Sequence, residues 1–284
     1  MKTLTTPDGR RRTYRIRVPA SLAAGTRVPL LIALHGGVGS GKQFEDGSGF
    51  DAIADKHRFV VAYPDGVGIG RNEDRLRTWN GGYCCGPAVK KNVDDVDFIR
   101  RLIGAVEGEY SIDASRVFIA GHSNGGIMAY RLACELSDVV AAVGLQAGSL
   151  GVDACAPTRP VSLIHIHGTA DQNHPINGGV GTNGISRIDF RSAIEGIRTF
   201  AAVERVPLTS SDVPDQKNPD VLRTTWGPDV RGTEIQFVSV RGASHAWMGP
   251  MPQSRIGARL TGKQYTRLNA SETIWEFLAA HPRT

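Results

Sequence analysis

Apolar residues in this 284-residue chain fall into short blocks separated by longer amphipathic stretches. Val28-Pro29-Leu30-Leu31-Ile32-Ala33-Leu34, Phe59-Val60-Val61-Ala62-Tyr63, Arg116-Val117-Phe118-Ile119-Ala120, Val139 to Leu145 and Val161 to His167 are apolar on both faces. That is the pattern of strands buried within a parallel sheet. Tyr14 to Val18, Val221 to Trp226 and Glu234 to Val240 read as further strands. Val96, Ile99, Leu102, Ile103 and Val106 recur near helical spacing inside a helix predicted from Val93 to Val106. Helices are also predicted over Phe50 to His57, Ile127 to Ala133, Asp189 to Val203 and Ser271 to Ala280. This alternation predicts an α/β fold with a mostly parallel central sheet and helices on both faces. No linker rich in Pro, Gly or Ser divides the chain, so residues 1–284 read as a single domain. The polar, glycine-rich stretch from Gly66 to Lys91 reads as an active-site loop, and Pro207 to Pro219 as a surface loop.

The strand at Arg116 to Ala120 runs into Gly121-His122-Ser123-Asn124-Gly125-Gly126, and a helix follows. Strand, glycine turn and helix are the context that gives G-x-S-x-G its meaning as a nucleophile elbow. A serine on so sharp a turn needs neighbours with little or no side chain. The turn lifts its hydroxyl clear of the sheet and directs a helix N-terminus at the reacting centre.

A serine hydroxyl needs a base, and the base needs a carboxylate that holds its tautomer. On an α/β-hydrolase scaffold the three follow in the order Ser, Asp or Glu, His, each past the C-terminal end of a strand. Asp171 turns out of the Val161–His167 strand and takes the acid position; Asp189 and Asp229 are reserves, Asp189 being read rather as a helix cap. His245 follows the strand ending at Val240 and takes the base position. His35 and His57 precede the serine, His174 is too near Asp171, and His281 lies at a helix end. His165 and His167 alternate along a strand with no obvious third metal ligand, so they read as packed, hydrogen-bonded residues. The oxyanion donors expected are the N–H groups of Asn124 and of Gly37, with Val38 next, after the strand ending Leu34-His35-Gly36-Gly37.

Gly36 to Lys42 also spells G-x-x-x-x-G-K, but Gln43 stands where a P-loop carries Ser or Thr, and no Walker-B acid follows. The net charge of +5, densest at Arg10-Arg11-Arg12, reads as a solvated surface with no nucleic-acid stripe. With 40% hydrophobic and 21% charged residues, and no run long enough to cross a bilayer, no membrane partner is expected. The N-terminal residues lack a hydrophobic signal core, which suits either an intracellular chain or one trimmed after export. Cys84, Cys85, Cys134 and Cys155 fit no zinc spacing; one or two disulfides and four buried thiols are both consistent with the sequence.

Several segments together resemble the esterase family that includes feruloyl esterases and polyhydroxybutyrate depolymerases, within the α/β-hydrolases. They are Leu34 to Gly37, Thr78-Trp79-Asn80-Gly81-Gly82-Tyr83-Cys84-Cys85-Gly86, Asp94 to Phe98, Gly121 to Gly126, His167 to Asp171 and Ser244-His245-Ala246-Trp247. The resemblance implies Ser123 as nucleophile, Asp171 as acid and His245 as base. It places Trp247 and Trp79 beside the acyl pocket; His122, inside the elbow and beside the serine, is a further substrate-binding candidate by its position. Met248 departs from the family, which often has proline there. The resemblance further implies secretion and at least one disulfide, pairing open. The expected activity is that of a serine carboxylesterase acting on aromatic or short hydroxyacid esters, without metal or cofactor. Polyester depolymerisation, or acyl transfer or peptide cleavage by the same triad, are the alternatives. The oligomeric state is left open.

Overall fold

The computed structural model describes residues 1–23, 25–183 and 187–283. In chain order the strands are β1 (Lys2–Thr5), β2 (Arg11–Arg17), β3 (Val28–Leu34), β4 (Val60–Pro64), β5 (Val67–Ile69), β6 (Arg75–Thr78), β7 (Ile112–His122), β8 (Ala142–Gln146), β9 (Ser162–Gly168), β10 (Gly179–Val180), β11 (Asp189–Phe190), β12 (Ser210–Pro214), β13 (Val221–Trp226) and β14 (Ile235–Val240). The helices are α1 (Gly41–Ser48), α2 (Phe50–His57), α3 (Gly86–Lys90), α4 (Asp95–Glu109), α5 (Asn124–Glu135), α6 (Ala193–Val203), α7 (Arg255–Thr261) and α8 (Ala270–Ala280).

One ten-stranded sheet, ordered β1-β2-β4-β3-β7-β8-β9-β14-β13-β12, forms the centre. From β4 to β14 every neighbouring pair is parallel, and antiparallel strands extend both edges. Strand alternation divides the core. Leu30, Ile32 and Leu34 of β3 and Val117 and Ile119 of β7 pack with α4, α5 and α6 on one face. Leu31, Ala33, Phe118 and Ala120 pack with α1, α2 and α8 on the other. Period-2 side-chain placement on strands apolar throughout therefore requires cover on both faces. The parallel strands all point their C-terminal ends to one rim, where the loops after β3, β7, β9 and β14 meet.

Five sequence expectations need correction. The helix expected from Asp189 starts only at Ala193, because Ser192 Oγ accepts the Glu195 N–H at 3.4 Å and supplies the cap. Asp189 is not the cap of that helix; with Phe190 it pairs with β10, and the Phe190 ring stacks on His174 at 4.1 Å. The polar segment 207–219 contains β12, which is exposed along its length and is held by backbone pairing to β13. An edge strand needs no apolar face to form, and Pro214 at its end is tolerated there. The 66–91 stretch is structured, holding the β5–β6 hairpin and α3. Arg12 is 3% exposed and not a solvated surface charge. Its guanidinium lies 3.9 Å from the Phe98 ring centre and 2.7 Å from Asp95 Oδ1.

Cys134 and Cys155 are joined, with 4.9 Å between their Cα atoms, tying α5 to the segment before β9. Cys84 and Cys85 are joined to each other.

Glu204, just after α6, is buried and accepts the Val161 N–H at 3.1 Å. Burial pushes its carboxyl up to about 7, against the pull of that N–H and of Arg231. The folded state therefore favours the protonated acid. The stability this gives is complete below the ordinary carboxylate range and is lost as pH rises through about 7. Glu204→Gln keeps the acceptor oxygen and removes the titration. In denaturant titrations from about pH 4 to about pH 8, the variant gains on wild type by about 2 kcal/mol at the upper end. Parallel pH curves would contradict this.

Candidate active site

β7 ends at His122 and α5 begins at Asn124, so Ser123 alone makes the turn, at φ 55° and ψ −120°. This region of backbone space is costly for a residue with a side chain and persists only where the surroundings enforce it. A Cβ on Gly121 would run into the Gly125 carbonyl, and one on Gly125 would run into the Leu34 carbonyl. Both positions accept only glycine while the helix packs this closely on β3 and β7. The Ser123 N–H donates to the Gln146 carbonyl at 2.9 Å, which ties the elbow to the end of β8.

The structure brings the three expected side chains together. His245 Nε2 lies 2.8 Å from Ser123 Oγ, and His245 Nδ1 lies 2.7 Å from Asp171 Oδ2. Asp171 Oδ1 accepts the N–H groups of Asn173 and His174, each at 2.9 Å. Burial would push the Asp171 carboxyl up, but the His245 imidazole with its hydrogen bond, and the nearby His167 N–H, outweigh it and hold it well below the usual carboxylate range. Asp171 is therefore ionised, and its charge faces the imidazole.

Gly37 stands beside Asn124: a Cβ on Gly37 would sit 3.6 Å from the Asn124 Cβ. Among the described residues no acceptor meets the Gly37 N–H. The Asn124 N–H opens a helix, where the first turn has no internal partner. His35 fixes the loop that carries Gly37. Its Nδ1 lies 2.7 Å from the Gly36 carbonyl, and its Nε2 accepts the Gly66 N–H at 3.0 Å. A carbonyl only accepts, so the proton sits on Nδ1. Burial lowers the His35 imidazole to about 4, so the ring stays neutral and the bridge holds. The P-loop look-alike is spent structurally: Ser40 caps α1, the Gly41 N–H donates to Asp65, and Lys42 pairs with Asp46.

A family profile described as "Esterase PHB depolymerase" matches residues 12–180, more than half of the chain. The chain belongs to this esterase family. It is 27% identical over 242 residues to the bifunctional acetylxylan esterase/xylanase XynS20E of Neocallimastix patriciarum, covering 84% of this chain and 31% of that one. It is 29% identical over 237 residues to feruloyl esterase B of Piromyces equi, covering 81% of this chain and 42% of that one. The chain thus spans less than half the length of either relative. The acetyl xylan esterase structure from Aspergillus awamori superposes with a TM-score of 0.59 at 16% identity, covering 86% of this chain and 93% of that one. The fold is that of the α/β-hydrolase esterases.

In this esterase-family domain the two tryptophans expected at the acyl pocket are anchors. Trp79 is fully buried. Its backbone N–H and carbonyl pair with the Asn124 side chain at 2.7 and 3.0 Å, and its indole N–H donates to the His35 carbonyl at 2.9 Å. Trp247 is 8% exposed, set edge-on to Phe44, with its indole N–H on Ser271 Oγ at 3.1 Å. Each indole N–H thus helps to hold a loop of the site to the core. His122 is half-buried and donates from Nε2 to the His245 carbonyl at 2.9 Å. Burial, with the nearby His245 imidazole, lowers His122 to about 3 and keeps it neutral. It steadies the backbone of the 245 loop.

Sequence reasoning missed Gln146. It is fully buried at the end of β8; its Oε1 accepts the Met248 N–H and its Nε2 donates to the Ala246 carbonyl, both at 2.9 Å. One side chain thus holds the segment after His245, while its own carbonyl holds Ser123. The available signal was a lone amide ending the apolar run Ala142-Val143-Gly144-Leu145. Gln146→Leu leaves a buried N–H and a buried carbonyl unpaired, at about 1–3 kcal/mol each. The expected result is a loss of about 2–4 kcal/mol in chemical denaturation, with ester turnover falling as well. An unchanged midpoint would show that the amide holds nothing.

Proposed function

We propose that this chain is a serine carboxylesterase working through an acyl-enzyme. The observation that carries the reading is the unbroken line Ser123 Oγ–His245 Nε2–Nδ1–Asp171 Oδ2, at 2.8 and 2.7 Å, ending beside two unused backbone N–H groups. Ser123 Oγ attacks the ester carbonyl as His245 takes its proton on Nε2. Asp171 stabilises the imidazolium that forms and fixes its tautomer. The carbonyl oxygen, now charged, is held by the N–H groups of Gly37 and Asn124, aided by the positive end of α5. His245 returns the proton to the departing alcohol, and water, activated by the same imidazole, releases the acid. His245 passes the proton it takes from that water to Ser123 Oγ as the acyl bond breaks, which restores the free serine.

Relatives named for acetylxylan and feruloyl esters support small acyl or aromatic esters of sugars as the substrate class. Hydroxyacid oligomers stand second, supported by the family description. The Cys134–Cys155 disulfide supports an exported protein, since such bonds persist in oxidising compartments. Among the described residues no helix is long and apolar enough to cross a membrane.

The test compares wild type, Ser123→Ala and Asp171→Asn on p-nitrophenyl acetate, methyl ferulate, acetylated xylan and a hydroxybutyrate oligomer. Wild type turns over at least one of them. Ser123→Ala loses at least about 10³-fold in kcat and Asp171→Asn about 10³–10⁴-fold. Turnover surviving in Ser123→Ala would end the assignment, and the ranking of the four esters assigns the substrate class.

A further inference from the structure

Behind Asp171 runs a second line of hydrogen bonds that the reaction above does not use. His165 and His167 stand two residues apart on β9, hence on the same face. The Tyr130 hydroxyl lies 3.1 Å from His165 Nδ1, and His165 Nε2 lies 3.0 Å from His167 Nδ1. His167 Nε2 lies 2.9 Å from the His174 carbonyl oxygen and 3.5 Å from Asp171 Oδ2. Tyr130, His165 and His167 are all fully buried.

The end of the line fixes every proton in it. The His174 carbonyl only accepts, so His167 carries its hydrogen on Nε2. On a singly protonated His167 ring Nδ1 then accepts, and His165 donates to it from Nε2. His165 Nδ1 in turn accepts the Tyr130 hydroxyl hydrogen. Reversing any one member would set two lone pairs or two hydrogens face to face between fully buried side chains. All three donors therefore point toward Asp171. Burial, with the neighbouring His167 imidazole, lowers His165 well below the ordinary imidazole range and keeps it neutral.

His167 acts on the carboxylate in two ways. It grips the carbonyl of His174, and the turn it grips presents the Asn173 and His174 N–H groups to Asp171 Oδ1. It also sets an N–H dipole 3.5 Å from Oδ2, the oxygen that holds His245.

We propose that His167, oriented by His165 and Tyr130, is a positioning residue that holds the Asp171 carboxylate in line with His245. The proposal rests on the serine-esterase reading. A carboxylate free to swing stabilises the imidazolium less, and that imidazolium exists only as Ser123 attacks. Loss of the bond thus lowers kcat and leaves ester binding alone.

Three variants separate this from a packing role. His167→Leu fills the space and removes both ring nitrogens. His167→Gln places its amide N–H near the reach of imidazole Nε2 and keeps the donor. Tyr130→Phe removes only the hydroxyl that sets the far end. Turnover of p-nitrophenyl acetate is measured per site, with sites counted by complete reaction with a phosphonate ester. His167→Leu should lose about 10- to 100-fold in kcat with KM within about twofold. His167→Gln should return to within about fivefold of wild type, and Tyr130→Phe should lose about two- to fivefold. Nitrogen-15 spectra of the wild-type imidazoles should show His165 and His167 both protonated on Nε2, whether or not the protein turns over.

Wild-type kcat per site in His167→Leu, an equal loss in His167→Gln, or a proton on Nδ1 of His167 would each overturn the proposal. Should His167→Leu fail to fold, Tyr130→Phe decides, and wild-type kcat there overturns it. Absence of any esterase activity in wild type would instead sink the esterase reading, and the imidazole spectra would still report on the buried line.

Discussion

The closeness of α5 to β3 and β7 is the constraint on which the site depends. It brings the first turn of the helix to the rim of the sheet and forces Ser123 to φ 55°. Only the missing side chains of Gly121 and Gly125 permit it, since a Cβ on Gly121 would meet the Gly125 carbonyl of α5 and one on Gly125 the Leu34 carbonyl of β3. The same approach sets Asn124, at the start of α5, beside Gly37 in the loop after β3. A helix packed one side chain farther out would relax the serine and separate the donors together.

Neutral polar side chains do most of the work of holding loops to this frame. Asn124 clasps the backbone of Trp79, His35 joins the Gly36 and Gly66 loops, and His122 and Gln146 hold the segment around His245. A buried hydrogen bond of this kind adds only about 1 kcal/mol, but leaving one partner unmade costs more. The arrangement is therefore specific rather than strongly stabilising. Neutrality is part of it. Burial keeps His35, His122 and His165 without charge, so the ionic pair of the site is Asp171 with the imidazolium that His245 becomes.

The buried Arg12–Asp95 pair serves the same rim from below. Asp95 Oδ2 accepts the Asn80 N–H at 2.8 Å, directly after Trp79, and Arg12 donates to the Asp65 carbonyl at 3.1 Å. Two charges taken out of water add little net stability. They do fix the start of α4 and two loops of the site relative to β2. Sequence alone could not assign this, because an arginine in a basic run looks the same whether its partner is water or an aspartate 83 positions away.

The chain's sequence by itself determined the alternation of buried strands and helices, the elbow at Ser123 and the order in which Asp171 and His245 follow it. Those are local properties, written in apolar periodicity and in glycines at fixed offsets. Tertiary structure decided what depends on distance across the sheet. It decided that Trp79 and Trp247 anchor loops, that Gln146 links the serine to the histidine loop, that β12 forms without an apolar face, and that His165 and His167 lie in one line behind Asp171. Each follows from a hydrogen bond or contact between residues remote in the chain or from a neighbour's geometry, and a one-dimensional pattern does not record which strand ends lie side by side.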